Sequence, residues 1–231
     1  RQRVFQFAGV ANGLVGAALI AAMVNGPLAI ALLEDEDKAA TSTAMLLGAF
    51  TLAMTAGAVI GGRLVNHIGP RITAVLGLLV GASGFVLISF WSHDLQLAWM
   101  STTMIVPGLG LGIVIAPIGE VVIRAARSED YGAASGLVLL ARLIGMTVGL
   151  SAITAYGLEM LGRRQPGTGD LSPLPDETTA AYFERLEDFA NAQLIPLTLD
   201  IIGETFLIAA AICLVALVVV TRIRQSDELD A

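Results

Sequence analysis

Six separate runs of mainly apolar residues, each long enough to cross ~30 Å of hydrocarbon as a helix of about 20 residues, constrain this chain more than any other feature. They cover roughly residues 5–33, 40–60, 72–91, 97–118, 133–157 and 201–220. None alternates with period 2, and none is apolar on one face only, as expected where one side of a helix meets lipid and the other meets apolar protein. The expected fold is all-α, a polytopic six-transmembrane-helix bundle occupying 1–231 as one unit. Composition agrees: 55% of the 231 residues are hydrophobic and 14% charged, against about 25% charged in an ordinary soluble domain. A single cysteine excludes a disulfide scaffold and a cysteine-based zinc site, and Cys213 reads as a small packing residue. No spacing of histidines points to a metal. A pI near 4.7 leaves no basic face for nucleic acid.

The first run follows Arg1 and Arg3 but is far longer than the ~7–15 apolar residues of a cleaved signal, and five more follow it. Orientation follows from Lys and Arg beside the spans. With the N-terminus inside, the inner side receives Arg1, Arg3, Arg63, Arg71, Arg124, Arg127, Arg222 and Arg224, and the outer side Lys38, Arg163, Arg164 and Arg185. The expectation is a multi-pass protein of the cytoplasmic membrane with both termini of this segment cytoplasmic.

Four of the five connections are short. The fifth, 158–196, opens with Pro166, Gly167, Gly169, Pro173 and Pro175 and then becomes amphipathic through Phe183, Leu186, Phe189, Ala190 and Leu194. A continuous helix over 177–221 would measure ~67 Å, so it either projects outward or bends near Pro196. Gly9/Gly13, Gly57/Gly61, Gly77/Gly81, Gly132/Gly136 and Gly145/Gly149 are small-residue pairs suited to close helix packing. Pro107, Gly108, Gly110, Gly112 and Pro117 make the fourth span easy to bend, suiting either a gate or a fixed kink.

Charge inside a span is the strongest functional flag, since a buried Arg or Asp costs ~2.5–3.5 kcal/mol on insertion scales. Arg142 stands ~15 Å into the fifth span and requires a partner. Asp200 and Glu204, on one face of the sixth span, are the candidates within the chain; the alternative is an acid outside it. Glu204 is the candidate proton carrier, because a carboxylate partly withdrawn from water can exchange protons near neutrality; the competing reading is that it only pairs with Arg142 or faces water. Asn12, Asn25 and Pro27 in the first span are candidate cavity or gating residues, with an interhelical hydrogen bond the plainer role for either asparagine. Asn25 precedes Gly26 and Pro27, where a helix break would free carbonyl groups. Glu120 pairs naturally with Arg124. His67 and His93 lie in connections, and no nucleophile with a base is in reach, so an enzyme is not expected.

Gly62-Arg63-Leu64-Val65-Asn66-His67-Ile68-Gly69-Pro70-Arg71 resembles the cytoplasmic loop signature of the major facilitator superfamily. Gly62, Leu64, Gly69 and Arg71 match it; Asn66 replaces the usual acid and Pro70 a usual base, which weakens any electrostatic latch. Gly108-Leu109-Gly110-Leu111-Gly112 with Pro117, Gly132 to Gly136, and Ala141-Arg142-Leu143-Ile144-Gly145-Met146-Thr147-Val148-Gly149 look like the fourteen-helix drug:proton antiporters. Gly16-Ala17-Ala18-Leu19, the Arg142 segment, the long outer loop and Gly203-Glu204-Thr205-Phe206 are most similar to the mycobacterial triacylglycerol- and drug-exporting members. The resemblance implies the C-terminal half of a two-half transporter. It further implies alternating access, protons, a lipid or amphipathic drug cargo, an N-terminal six-helix half and a periplasmic lipoprotein as partners, and no cofactor. A start at Arg1 rather than Met fits a piece of a longer protein. The rival expectation is a non-transporting scaffold or degenerate half that binds a partner.

Overall fold

The computed structural model describes residues 2–91, 97–126, 130–164, 172 and 177–222. Arg1, His93, Arg127, Pro166, Gly167, Gly169, Pro173, Pro175 and Arg224 lie outside the described residues, as does the side chain of Arg3. The helices are α1 (Gln2–Leu33), α2 (Glu36–Ile68), α3 (Pro70–Ile88), α4 (Leu97–Ala125), α5 (Tyr131–Arg164), α6 (Thr179–Phe189) and α7 (Ile195–Arg222). A π-helical turn, Ala190–Leu194, fuses α6 to α7. Six helices are long and apolar enough to cross a membrane, and the described residues contain no strand.

Several helices outrun the apolar runs that announce them. Apolarity measures the hydrocarbon layer, whereas backbone hydrogen bonding continues into the polar ends. The second run stops at 60 but α2 continues to Ile68, so Gly62, Leu64 and Asn66 are helical rather than parts of a loop. The turn into α3 is one residue: Gly69 has φ +81° and ψ 161°, a region open essentially to glycine alone. Its N–H donates to the Val65 carbonyl at 3.0 Å, and Pro70 starts α3 where a missing N–H costs nothing. The last membrane-length run is continuous over 44 residues, ~66 Å. Pro196 neither breaks nor ends it. The wide turn just before it, closed by Ile195 N–H to the Ala190 carbonyl, takes up the ladder disruption that a proline imposes. Pro27, Pro107 and Pro117 likewise sit inside unbroken helices, so no break opens beside Asn25 to free carbonyl groups.

In lipid there is no hydrophobic drive between helices, and close backbone approach takes its place. A Cβ on Gly57 would strike the Leu109 carbonyl, and one on Gly61 the backbone of Ile113, so α2 lies directly on α4. On the other side of the bundle, Gly145 meets the Gly13 carbonyl and Gly149 the backbone of Ala17, seating α5 on α1. Gly77 and Gly81 admit α4 against α3, but Gly132 and Gly136 face open space and are not packing positions here. The Gly/Pro cluster of α4 is explained by contact: Gly108 and Gly112 meet Phe50 and Met54 of α2, Gly110 meets Gly81, and Pro107 fills the space beside Gly84.

These seams are related. Every pair in contact among the six spanning helices has a counterpart when α1, α2 and α3 are exchanged for α4, α5 and α7. The α1–α5 seam repeats the α4–α2 seam residue by residue: Gly13, Gly16 and Ala17 correspond to Leu109, Gly112 and Ile113, each 96 positions later. Met54, Gly57 and Gly61 correspond to Arg142, Gly145 and Gly149, each 88 later. An odd number of crossings per unit makes the two units run in opposite senses. The core between them holds Leu78, Leu111, Val114 and the Phe85–Phe206–Trp91 aromatic cluster, whose indole donates to Thr103 at 3.0 Å.

Candidate functional site

The internal repeat makes one position stand out. Where α2 has Met54, α5 has Arg142, and where α4 has Gly108, α1 has Asn12. The Arg142 guanidinium is half-buried and donates from Nε (3.1 Å) and Nη2 (2.9 Å) to the Asn12 Oδ1. Asn12, 1% exposed, donates through Nδ2 to the Val138 carbonyl at 2.6 Å, one turn before Arg142. The carboxamide is therefore used in both directions across the α1–α5 seam. Gly16, opposite the Arg142 carbonyl and Cγ, leaves room for the side chain to lie flat. The candidate partners within the chain, Asp200 and Glu204, do not reach it. Among the described residues no carboxylate lies within ion-pair distance of Arg142. The neutral acceptor satisfies geometry and leaves the positive charge uncompensated.

Glu204 belongs to a second cluster. Its Oε2 accepts from the Tyr156 hydroxyl at 2.7 Å and its Oε1 from Arg164 Nη1 at 2.5 Å, both on α5. Tyr156 is 14 residues beyond Arg142 and Arg164 is 22 beyond it, ~21 and ~33 Å along the helix, which is why the candidate Arg142–Glu204 pair does not form. Asp200 is exposed one turn before Glu204. In the sequence Tyr156 lies inside an apolar run and Arg164 bears only on orientation; no local pattern joins either to a residue 40 or more positions away.

Asn25 is buried and donates to Thr205 Oγ1 at 2.6 Å, while Thr205 donates to the Ile202 carbonyl, so Asn25 ties α1 to α7. Arg71 donates to the Thr221 carbonyl at 2.6 Å, capping the end of α7 from the start of α3. Of the loop signature, Gly69 and Arg71 thus have defined structural work, and Asn66 is exposed. Glu120 pairs with Arg124 at 2.8 Å on the surface, as expected.

The chain is 35% identical, over 93% of its length, to a triacylglyceride transporter of Mycolicibacterium smegmatis, of which it covers 40%. The relatives are transporters by name. A triacylglyceride transporter of Mycobacterium tuberculosis is 32% identical over 94% of this chain and 44% of its own length. One of Mycobacteroides abscessus is 38% identical over 66% and 31%. The chain thus spans about two fifths of the length of the curated relatives it matches. No protein-family model matches it. Six membrane-length apolar helices and likeness to transporters make this a multi-pass membrane protein.

Proposed function

We propose that this chain is the C-terminal six-helix half of a proton-coupled exporter of lipids or amphipathic drugs, of the major facilitator type. In this reading both ends of the segment lie on the inner side of the cytoplasmic membrane, and cargo crosses by alternating access between two halves. The observation that carries it is the Arg142 guanidinium, fixed mid-helix by a neutral asparagine with no acid beside it among the described residues. A charge kept in hydrocarbon at such cost has a use, and an acid contributed by the rest of the transporter is the partner that would balance it and accept protons.

Three further features support this reading. Relatives 35% and 38% identical to this chain are named for triacylglyceride transport. Two three-helix units of opposite sense are the inverted repeats known from halves of this transporter type. The equivalent helices α2 and α5 are the most exposed of the six spans, which suits faces that a second half and a cargo cavity would share. Gly108 and Gly112 then line the seam on which α2 and α4 shift against each other, and Asn25 anchors α1 to α7. The helical stretch over 179–194 would project beyond the outer surface, where it would guide apolar cargo or meet a periplasmic lipoprotein.

The test uses the full-length protein in lipid vesicles loaded with a fluorescent triacylglyceride. The expected result is lipid movement above that of empty vesicles, accelerated by an imposed proton gradient. No movement would overturn the export reading, and movement indifferent to the gradient would remove proton coupling from it.

A further inference from the structure

Apolar packing of α5 ends well before the helix does. Its fully buried residues are Ala134, Gly149 and Ile153; nothing beyond Ile153 is fully buried, and Leu158 is 67% exposed. The remaining eleven residues, ~16 Å of helix, are held by something else. Among the described residues, every side-chain hydrogen bond between α5 and α7 ends on the Glu204 carboxylate, from Tyr156 and from Arg164. Those donors are two helical turns apart on α5, so one carboxylate grips the helix at two heights. A helix with no proline from Tyr131 to Arg164 transmits a tilt at Tyr156 and Arg164 to Arg142, ~21 and ~33 Å away. Glu204 itself is fixed, since Phe206 is fully buried two residues on and Thr205 is bonded to Asn25.

We propose that Glu204 is a positioning residue that clasps the outer end of α5 to α7, setting the tilt of α5 and hence the seat of Arg142 against Asn12. It acts through its hydrogen bonds and ion pair, not by exchanging a proton with the cargo cycle. The transport part of the test rests on the exporter reading; the distance part does not, so failure of one is distinguishable from failure of the other.

In the full-length protein, with native accessible cysteines replaced, spin labels are placed at Gly162→Cys on α5 and Leu207→Cys on α7, both exposed positions. Glu204→Ala is expected to broaden the label-to-label distance distribution, and the exchanged pair Glu204→Arg with Arg164→Glu to narrow it again. Lipid movement should fall about fivefold or more in Glu204→Ala, less in Glu204→Gln, which keeps a carbonyl acceptor, with the pH profile of the remaining rate unshifted in both. If Glu204→Ala does not fold, Arg164→Ala at the exposed helix end serves the same comparison. An unbroadened distribution overturns the clasp. So does a Glu204→Gln variant as impaired as Glu204→Ala with a shifted pH profile, because the carboxylate would then be exchanging protons.

Discussion

Asn12 is the residue on which the Arg142 side chain depends most directly. It offers one carbonyl oxygen to two guanidinium donors and spends its amide on the α5 backbone, so no other side chain in the seam can take its place unchanged. Asn12→Ala would leave the guanidinium half-buried without its acceptor, and a loss of about 1–2 kcal/mol is expected, read as a lowered melting temperature in detergent or nanodiscs. The repeat supplies a control. Since Met54 fills the place equivalent to Arg142 on the other seam, Arg142→Met added to Asn12→Ala should recover most of that loss. A double variant no more stable than the single would mean that the pair is not the source of the effect.

Glycine placement governs the elements. A methyl group on Gly145 would press on the Gly13 carbonyl, so Gly145→Ala should part α1 from α5 at a cost of about 1–3 kcal/mol. Gly136→Ala, on the same helix with nothing within 4 Å, should instead be neutral or stabilise by up to about 1 kcal/mol through helix propensity. Melting temperatures of the two variants check both, and equal shifts would refute the seam. The helices themselves were legible in the apolar runs because hydrocarbon demands a fixed length of them. Their ends were not: α2 and α5 each run seven or eight residues past the apolar stretch, since polar helix outside lipid leaves no hydropathy signal. The unbroken continuation of the last helix was legible as one of two alternatives, and the π-helical turn before Pro196 shows how the chain avoids a break there. Which side chains would meet was hidden for another reason. The Asn12–Arg142 and Tyr156–Glu204 bonds join residues 130 and 48 positions apart, and which helix lies beside which is set by glycine seams spread over the whole chain.

At the scale of the molecule, two three-helix units repeat each other's contacts and differ where function is expected. The α4–α2 seam keeps Gly108 and Met54, a packing solution with no polar atom in either side chain, while the α1–α5 seam carries Asn12 and Arg142 at the same places. The matching seam therefore packs without a charge at this place. A charge that the matching seam does without, in a chain similar to triacylglyceride transporters, is carried by the residue on which the proposed transport reading rests. Lipid movement by the full-length protein carrying Arg142→Met, compared with wild type in the same vesicles, tests this most directly. A variant that reaches the membrane with a wild-type melting temperature should move lipid about tenfold or more slowly. Wild-type lipid movement by that folded variant would contradict the role assigned to Arg142.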